Sequence, residues 1–356
     1  MRDPWFDSLN RPCGAQIALH FCMPNQVAQQ PDKINVNFTM FEATRVPPNW
    51  IRENRKHHLL IVPAESSRRA WIDSGMPPHR IRLCPLGVNP LLFSGSAIPL
   101  TLRTENSVPV ERYRVRFLNV SALSPRKNLF GLLEAWVQAT QRNHDAVLIL
   151  KLGCHAPGAK EQFVQGLEQR FGTRLADAAP IVFVYGAFPD TEMPRLYATA
   201  THYISMSCGE GWDQAMMEAA ASGLKLIAPA HSAYNAYLDS SIASMIPSRE
   251  VPAVYAGDAA TAELFLDAHW WQPDQPEAID RIRAAIAGHD NRLASPRDRI
   301  LRDFTWQNAT RRLIGILDEL QPLAERLRIV SRFRRNNSGA AEISRSQPDS
   351  VQGAGQ

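Results

Sequence analysis

The chain has 356 residues, 45% of them hydrophobic and 21% charged, a globular composition with room for one large or two medium domains. Its 39 Lys+Arg against 35 Asp+Glu leave a formal charge of only +4, and no Lys/Arg block alternates with aromatics, so a nucleic-acid-binding groove is excluded. Collagen-like, coiled-coil and disulfide-scaffold chains are excluded by composition, and no apolar run reaches the roughly 18 residues that a membrane span needs.

The opening MRDPWFDSLNRP lacks a basic stretch followed by an apolar core, so no secretory signal is expected. Cys13, Cys22, Cys84, Cys154 and Cys208 are scattered and odd in number, which reads as free thiols in a reducing compartment, the cytoplasm. Predicted strands follow at 16–22, 34–41, 58–64 and 80–88, with a short helix at 65–75 that stops at Gly75 ahead of Pro77 and Pro78. Residues 94–112 are polar, hold two prolines and lack periodicity, which predicts a linker.

From 113 onward the pattern is regular. Apolar runs at 115–121, 146–152, 181–185, 202–207 and 224–228 alternate with helical patterns at 128–140, 160–171, 190–200 and 213–222. In the first of these helices Leu129, Leu132, Leu133 and Trp136 form one apolar face. Runs apolar on both faces and separated by helices predict a parallel sheet covered on each side, a doubly wound α/β domain. Helices are expected at 261–268, 276–288 and 305–330, the last opening at a Thr305 N-cap and carrying Leu313, Ile314, Ile316 and Leu317. The domains predicted are thus 1–112, including the linker, and 113–330, with 331–356 a disordered tail.

Two segments carry chemistry. The stretch 207-SCGEGWDQAMMEAAASGLKLIAP-229 runs strand, glycine-flanked loop, helix, strand. Free N–H groups and the helix dipole at such a loop favour an anion such as a diphosphate. Gly209 and Gly211 let backbone approach a ligand, and the carboxylates of Glu210 and Glu218 suit hydroxyl groups. A tight turn with Glu218 solvated on a helix surface is the alternative. The stretch 121-SALSPRKNLFGLLEAW-136 likewise opens a helix after a strand. Its Arg126 and Lys127 sit where the helix dipole disfavours cations unless an anion lies between them, so they either clamp a diphosphate or form a solvated surface pair.

These two segments together resemble the donor half of the retaining glycosyltransferases of family 4, which have the GT-B fold: two Rossmann-like domains facing a cleft. The stretch 63-PAESSRRAWIDSGMPPHRIRLCPLGVNPLLF-93 resembles the end of that family's N-terminal domain. The closing 303-DFTWQNATRRLIGILDEL-320 resembles the helix that crosses back towards it. The resemblance implies sugar transfer from a nucleotide diphosphate sugar to an acceptor hydroxyl with retention, in polysaccharide or glycoconjugate synthesis. It implies that Arg126 and Lys127 neutralise the diphosphate and that Glu210 holds sugar hydroxyls. Backbone N–H groups of Gly211, Trp212, Asp213 and Gln214 contact sugar and phosphates, Glu218 binds ribose, and Tyr185 and Gly186 lie against the base. His20 resembles a histidine at the reaction centre, with a structural role as the alternative. Glu42 lies in a stretch resembling an acceptor-side loop, and plain hydrogen bonding is its alternative. No cofactor is expected, and no His/Cys/Asp cluster suggests a metal.

The chain departs from the family in several places. Asp213 stands where relatives have glycine, placing a carboxylate at the sugar site or capping the helix. Ser121-Ala122 replaces a Gly-Arg pair, so one phosphate-binding cation is missing unless Arg126 replaces it. The chain begins near what looks like the fourth strand, which predicts an incomplete N-terminal domain with an open sheet edge and an uncovered apolar face. A non-catalytic nucleotide-sugar-binding protein is therefore the competing expectation, with a GT-B epimerase or phosphorylase further behind. Glycan or lipid-linked acceptors both fit, and the basic 326–335 stretch is either a peripheral membrane contact or a solvated helix end.

Overall fold

The computed structural model describes residues 4–9, 11, 13–93, 95–153, 158–255 and 259–326. The tail at 331–356, Cys154, and the 326–335 stretch apart from Arg326 lie outside them.

Two parallel sheets organise the molecule. In the first, β1 (Ile17–Phe21), β2 (Ile34–Phe38), β3 (Leu59–Val62) and β4 (Ile81–Leu83) lie in the order 1-2-3-4, every pair parallel. β2 and β3 are buried along their whole length, as expected of runs apolar on both faces. Helices α1 (Pro48–Asn54) and α2 (Glu65–Asp73) accompany this sheet, and Gly75 follows α2 with φ +101°. β1 is the outer strand, and Leu19 and Phe21 on it are exposed.

The second sheet holds β5 (Val115–Ala122), β6 (Ala146–Gly153), β7 (Ile181–Tyr185), β8 (His202–Ile204), β9 (Lys225–Pro229) and β10 (Ser244–Ile246), in the order 10-9-8-5-6-7. All its pairings are parallel. Counted within the sheet, this is the 3-2-1-4-5-6 order of dinucleotide-binding domains, read from the other edge. One face is covered by α3 (Leu129–Ala139), α4 (Ala159–Phe171) and, from later in the chain, Gln275–Ala287; the other by α5 (Met193–Thr199) and α6 (Gln214–Ala221). β5 splits accordingly: Phe117 joins the first core and Leu118 the second. Leu129, Leu132, Leu133 and Trp136 of α3 are all buried, as their spacing predicts.

Several features differ from the sequence expectation, which placed neither α1 nor β10. An antiparallel ribbon of β11 (Ser248–Pro252) and β12 (His269–Pro273) was not anticipated, being short and bounded by prolines. Of the helix expected at 261–268, the structure forms Ala259–Leu264. The helix expected over 305–330 is interrupted. With Gln275–Ala287 numbered α7, the last helix α8 (Trp306–Asp318) begins at Thr305, whose Oγ1 accepts the Asn308 N–H at 3.2 Å. A turn at 319–320 separates it from helical residues 321–326. Pro322 supplies the reason: it has no N–H for the Asp318 carbonyl and its ring opposes that carbonyl, yet it is tolerated in the first turn of a new helix. On α8 Ile316 is buried, whereas Ile314 faces solvent.

α8 packs back on the first sheet. Arg312 donates from Nε to the Leu83 carbonyl at 2.8 Å, Arg82 pairs with Glu319 at 2.9 Å, and Val88 bridges Thr305. One apolar cluster contains Val36 and Ile61 of the first sheet together with Leu118 and Ile149 of the second.

Candidate active site

β5 and β8 are neighbours, yet the helices that follow them, α3 and α6, go to opposite faces of the sheet. The loops leaving the two strands therefore part and leave a crevice, the position where open α/β sheets bind ligands. A cavity of about 410 Å³ lies there, lined from the second sheet by Ser121, Lys127, Lys151, Glu210 and Asp213 and from the first by Met40 and Glu42.

After β5 the chain makes a tight turn at Pro125–Lys127, and Asn128 takes φ +49° before α3 starts. This turn sends Arg126 and Lys127 across to the loop after β8, where the Cys208 N–H donates to the Arg126 carbonyl at 2.8 Å. Lys127 Nζ lies 2.6 Å from Glu210 Oε1 and Arg126 Nη1 3.1 Å from Glu210 Oε2; Arg126 also donates to the Gly209 carbonyl. Glu210 is 4% exposed. Burial alone would raise its carboxyl pKa, but the charges of Lys127 and Arg126 outweigh burial and hold it down at about 2. Arg126 reaches a second carboxylate as well, Glu42 from the loop after β2, at 3.6 Å. The two cations are thus neither solvated nor unpaired. The anion that offsets the helix dipole at this turn is Glu210 itself.

Gly209 and Gly211 meet a neighbouring segment of the first sheet's loop. A Cβ on Gly209 would stand 2.0 Å from the Glu42 carbonyl oxygen, and one on Gly211 would stand 2.7 Å from the Met40 side chain. The bare backbone at these positions admits the 40–42 segment of the first sheet's loop, and this close approach brings Glu42 to Arg126.

The remaining expected residues divide into two groups. Asp213 (φ +60°) occupies the N-cap position of α6 without a side-chain cap bond; Tyr234 donates to its Oδ2 at 2.6 Å. Burial raises its carboxyl above the usual range, against the Lys127 charge and with the Glu210 charge. Gln214 donates to the Gly87 carbonyl at 3.0 Å, a further tie between the two halves, while Trp212 is buried against Tyr237 and Phe304. Glu218 is not solvated: Tyr197 donates to its Oε2 at 2.9 Å, and burial, the largest influence, lifts its pKa from 4.5 to about 7. Tyr185 and Gly186 lie at the end of the edge strand β7, two strands from the crevice, with Lys160 over the Tyr185 ring at 4.6 Å. His20 stands apart from the cluster. Its Nε2 bonds Asn35 Oδ1 at 2.9 Å and its ring meets His57, just ahead of β3, edge-on at 5.9 Å.

Three contributors were not singled out from sequence. Lys151, in the middle of the buried strand β6, lines the cavity and donates to the Gly186 carbonyl at 2.5 Å. A lysine inside the apolar run AVLILKL is the signal that would have found it, since a buried ammonium needs a purpose. His231 and Ser232 follow β9. His231 donates from Nε2 to the Ser207 carbonyl (2.8 Å), which leaves Nδ1 to accept the Ser232 hydroxyl (2.8 Å), and Ser232 Oγ accepts the Glu210 N–H (3.1 Å). Burial depresses the His231 pKa to about 4, so the neutral ring this chain of bonds requires persists at neutral pH. The chain fixes the backbone from which Glu210 projects. Among the described residues, no group of three or more His, Cys, Asp or Glu is placed to hold a metal ion.

Comparison with solved structures decides what architecture these sheets make. HepE from Anabaena, solved in complex with UDP and glucose, matches with a TM-score of 0.60 at 16% identity, over 81% of this chain and 72% of that one. Sucrose-phosphate synthase from Thermosynechococcus elongatus matches with a TM-score of 0.59 at 18% identity, over 89% and 77%. The UDP-forming α,α-trehalose-phosphate synthase from Burkholderia xenovorans matches with a TM-score of 0.59 at 12% identity, over 81% and 68%.

The fold is GT-B.

No protein-family model matches the chain, and no curated protein matches it. Arg126, Glu210 and Glu42 meet in the cleft between the two sheets. No helix among the described residues is long and apolar enough to cross a membrane.

Proposed function

We propose that this GT-B chain is a hexosyltransferase that moves a sugar from a nucleotide diphosphate sugar to an acceptor hydroxyl with retention, and that it belongs with the glycosyltransferases of family 4. The observation that carries this reading is the convergence of Lys127, Arg126 and Glu210 from two loops of one crevice with Glu42 from the opposite sheet. As the glycosyl–phosphate bond breaks, negative charge develops on the leaving diphosphate. Lys127, Arg126 and Lys151, with the α6 N-terminus, stabilise it in a largely buried setting where such interactions are strong. These cations do the work a metal ion does elsewhere, so the reaction is metal-independent. Glu210, ionised and anchored by the His231–Ser232 chain, orients the sugar hydroxyls. The carboxylates that could attack the anomeric carbon are otherwise engaged, Glu210 and Glu42 by cations and Asp213 by Tyr234 with its pKa raised. This favours front-face attack by the acceptor with no covalent enzyme intermediate. The nucleotide's ribose falls to Glu218 and its base to the Tyr185–Gly186 turn. The four described cysteines are free thiols, in keeping with a cytoplasmic role in polysaccharide or glycoconjugate synthesis.

UDP-glucose is the first donor to test, because HepE is solved with UDP-glucose and the E. coli trehalose-6-phosphate enzyme with a UDP-2-fluoro glucose. In a thermal-shift series of UDP, GDP, ADP and their sugar conjugates, one base class is expected to stabilise the chain by about 2.7 kcal/mol at 100 times its Kd. A cooperative melt unmoved by every nucleotide would overturn the donor-site reading.

Glu218 makes binding pH-dependent. Its carboxyl keeps its proton in the folded state between about 4.5 and 7, where the unfolded chain has lost it. Stability from this group therefore falls as pH rises across that window. The ionised form, which accepts two ribose hydroxyls, appears only towards the upper end. Nucleotide affinity is accordingly expected to rise from pH 5.5 to 8, and Glu218→Gln to flatten the rise; a wild-type titration calorimetry profile flat over that range would contradict the assignment.

A further inference from the structure

A second cavity, of about 320 Å³, adjoins the cleft on the first sheet's side. Its wall is apolar: Phe21, Phe38, Phe41, Trp50, Leu264 and Phe265 line it. The rings pack on one another, Phe41 stacking on Phe265 at 5.3 Å and Phe21 meeting Phe38 edge-on at 4.8 Å. One end is polar. Glu42 and Arg126 close it, and beside them Ser124 and Tyr255 share a hydroxyl–hydroxyl bond of 3.2 Å. Met40 and Glu42 line this cavity and the donor-side cavity alike, so the two meet at the Glu42–Arg126 pair.

At the mouth, Phe21 is 61% exposed and Met23 41% exposed, on and just after the outer strand β1. Large apolar side chains left open at the rim of an apolar cavity mark a surface that binds something apolar. A free sugar can lay one C–H face on a ring, but over most of this wall its remaining hydroxyls would be buried without partners, at a cost for each group. An occupant with one hydroxylated end and one apolar end satisfies both halves.

We propose that this cavity is an acceptor subsite for an amphipathic molecule, a glycoside or alcohol whose attacking hydroxyl sits at Glu42 and Arg126 and whose apolar aglycone fills the Phe38–Phe265 cavity and covers Phe21. This rests on the glycosyl-transfer reading for the role of the occupant, but its binding is testable without turnover. Glu42 accepts the acceptor hydroxyl's hydrogen bond and holds its oxygen at the border with the donor cavity. The aglycone supplies affinity through apolar burial.

Isothermal titration of the full chain with phenyl and hexyl β-glucosides, each against methyl β-glucoside, tests this directly. The phenyl and hexyl compounds are expected to bind at least tenfold more tightly than the methyl compound, and Leu264→Gln, at a half-buried wall position, to remove that advantage. Phe21→Ser, at an exposed position where misfolding is not a concern, is expected to reduce it severalfold. Equal affinity of all three glucosides, or an advantage that survives both substitutions, overturns the proposal. UDP titrated in the same cell separates the two readings: failure of UDP to bind while the phenyl preference persists strikes the transfer reading and leaves the apolar subsite standing.

Discussion

Lys127→Ala is expected to lower kcat for sugar transfer by about a hundred- to a thousand-fold, the usual cost of deleting one charge-stabilising donor at a developing anion. The fold survives this change, because Glu210 keeps Arg126 as its counter-ion at 3.1 Å. Glu210→Ala differs in kind. It removes the carboxylate shared by two largely buried cations and leaves Arg126 only the more distant Glu42, so it is expected to cost about 3–5 kcal/mol of stability besides the loss of transfer. From sequence alone both alanine variants would be expected to fold intact; the burial of Glu210 between its partners changes that for one of them. The same pairing sets an acid limit. A carboxyl held at about 2 against an ordinary 4.5 contributes stability that is complete above 4.5 and lost as pH falls through about 2. Steady-state kinetics beside thermal melts of the two variants resolve this. Near-wild-type transfer in Lys127→Ala would remove that residue from the mechanism, and a Glu210→Ala melt matching that of Lys127→Ala would contradict the counter-ion role.

Gly209→Ala is expected to be nearly as damaging to transfer, although it adds a single methyl group. The new Cβ would fall 2.0 Å from the Glu42 carbonyl oxygen, which is backbone and cannot swing aside. The 40–42 segment must retreat, carrying the Glu42 carboxylate away from Arg126. Shifts of about an ångström in a preorganised site typically cost a hundredfold in rate. Lys127 and Glu210 keep their pairing, so nucleotide binding is expected to persist while kcat falls by about that factor. Gly211→Ala is the internal control. Its added methyl meets only Met40: a rotamer change moves Cγ (2.7 Å) and Sδ (2.8 Å) aside, and Cβ at 2.9 Å asks only for a small shift of that residue, so its loss is expected to be smaller. Equal rates for Gly209→Ala and wild type would show that the two loops are not held together during the reaction. Loss of nucleotide binding along with transfer would instead place Gly209 against the nucleotide.

Much of the second sheet and its covering helices is determined by sequence alone. The period-3.6 face of Leu129, Leu132, Leu133 and Trp136 and the doubly apolar strands admit few solutions other than a covered parallel sheet, and Thr305 caps its helix as a local rule requires. The loops carrying Arg126, Lys127 and Glu210 were legible for the same reason, since a strand-to-helix loop is a local feature. Other properties are decided only by chain segments far apart in sequence. Lys127 and Glu210 are 83 residues apart, and their pairing follows from β5 lying beside β8. Tyr197 holds Glu218, Asn35 holds His20, and Glu42 reaches Arg126 because the two sheets close on one another at a glycine. Periodicity records which face of an element is apolar, not which element covers it. Side-chain partners, and the burial that moves a carboxyl to about 2 at Glu210 and to about 7 at Glu218, are therefore properties of the tertiary structure.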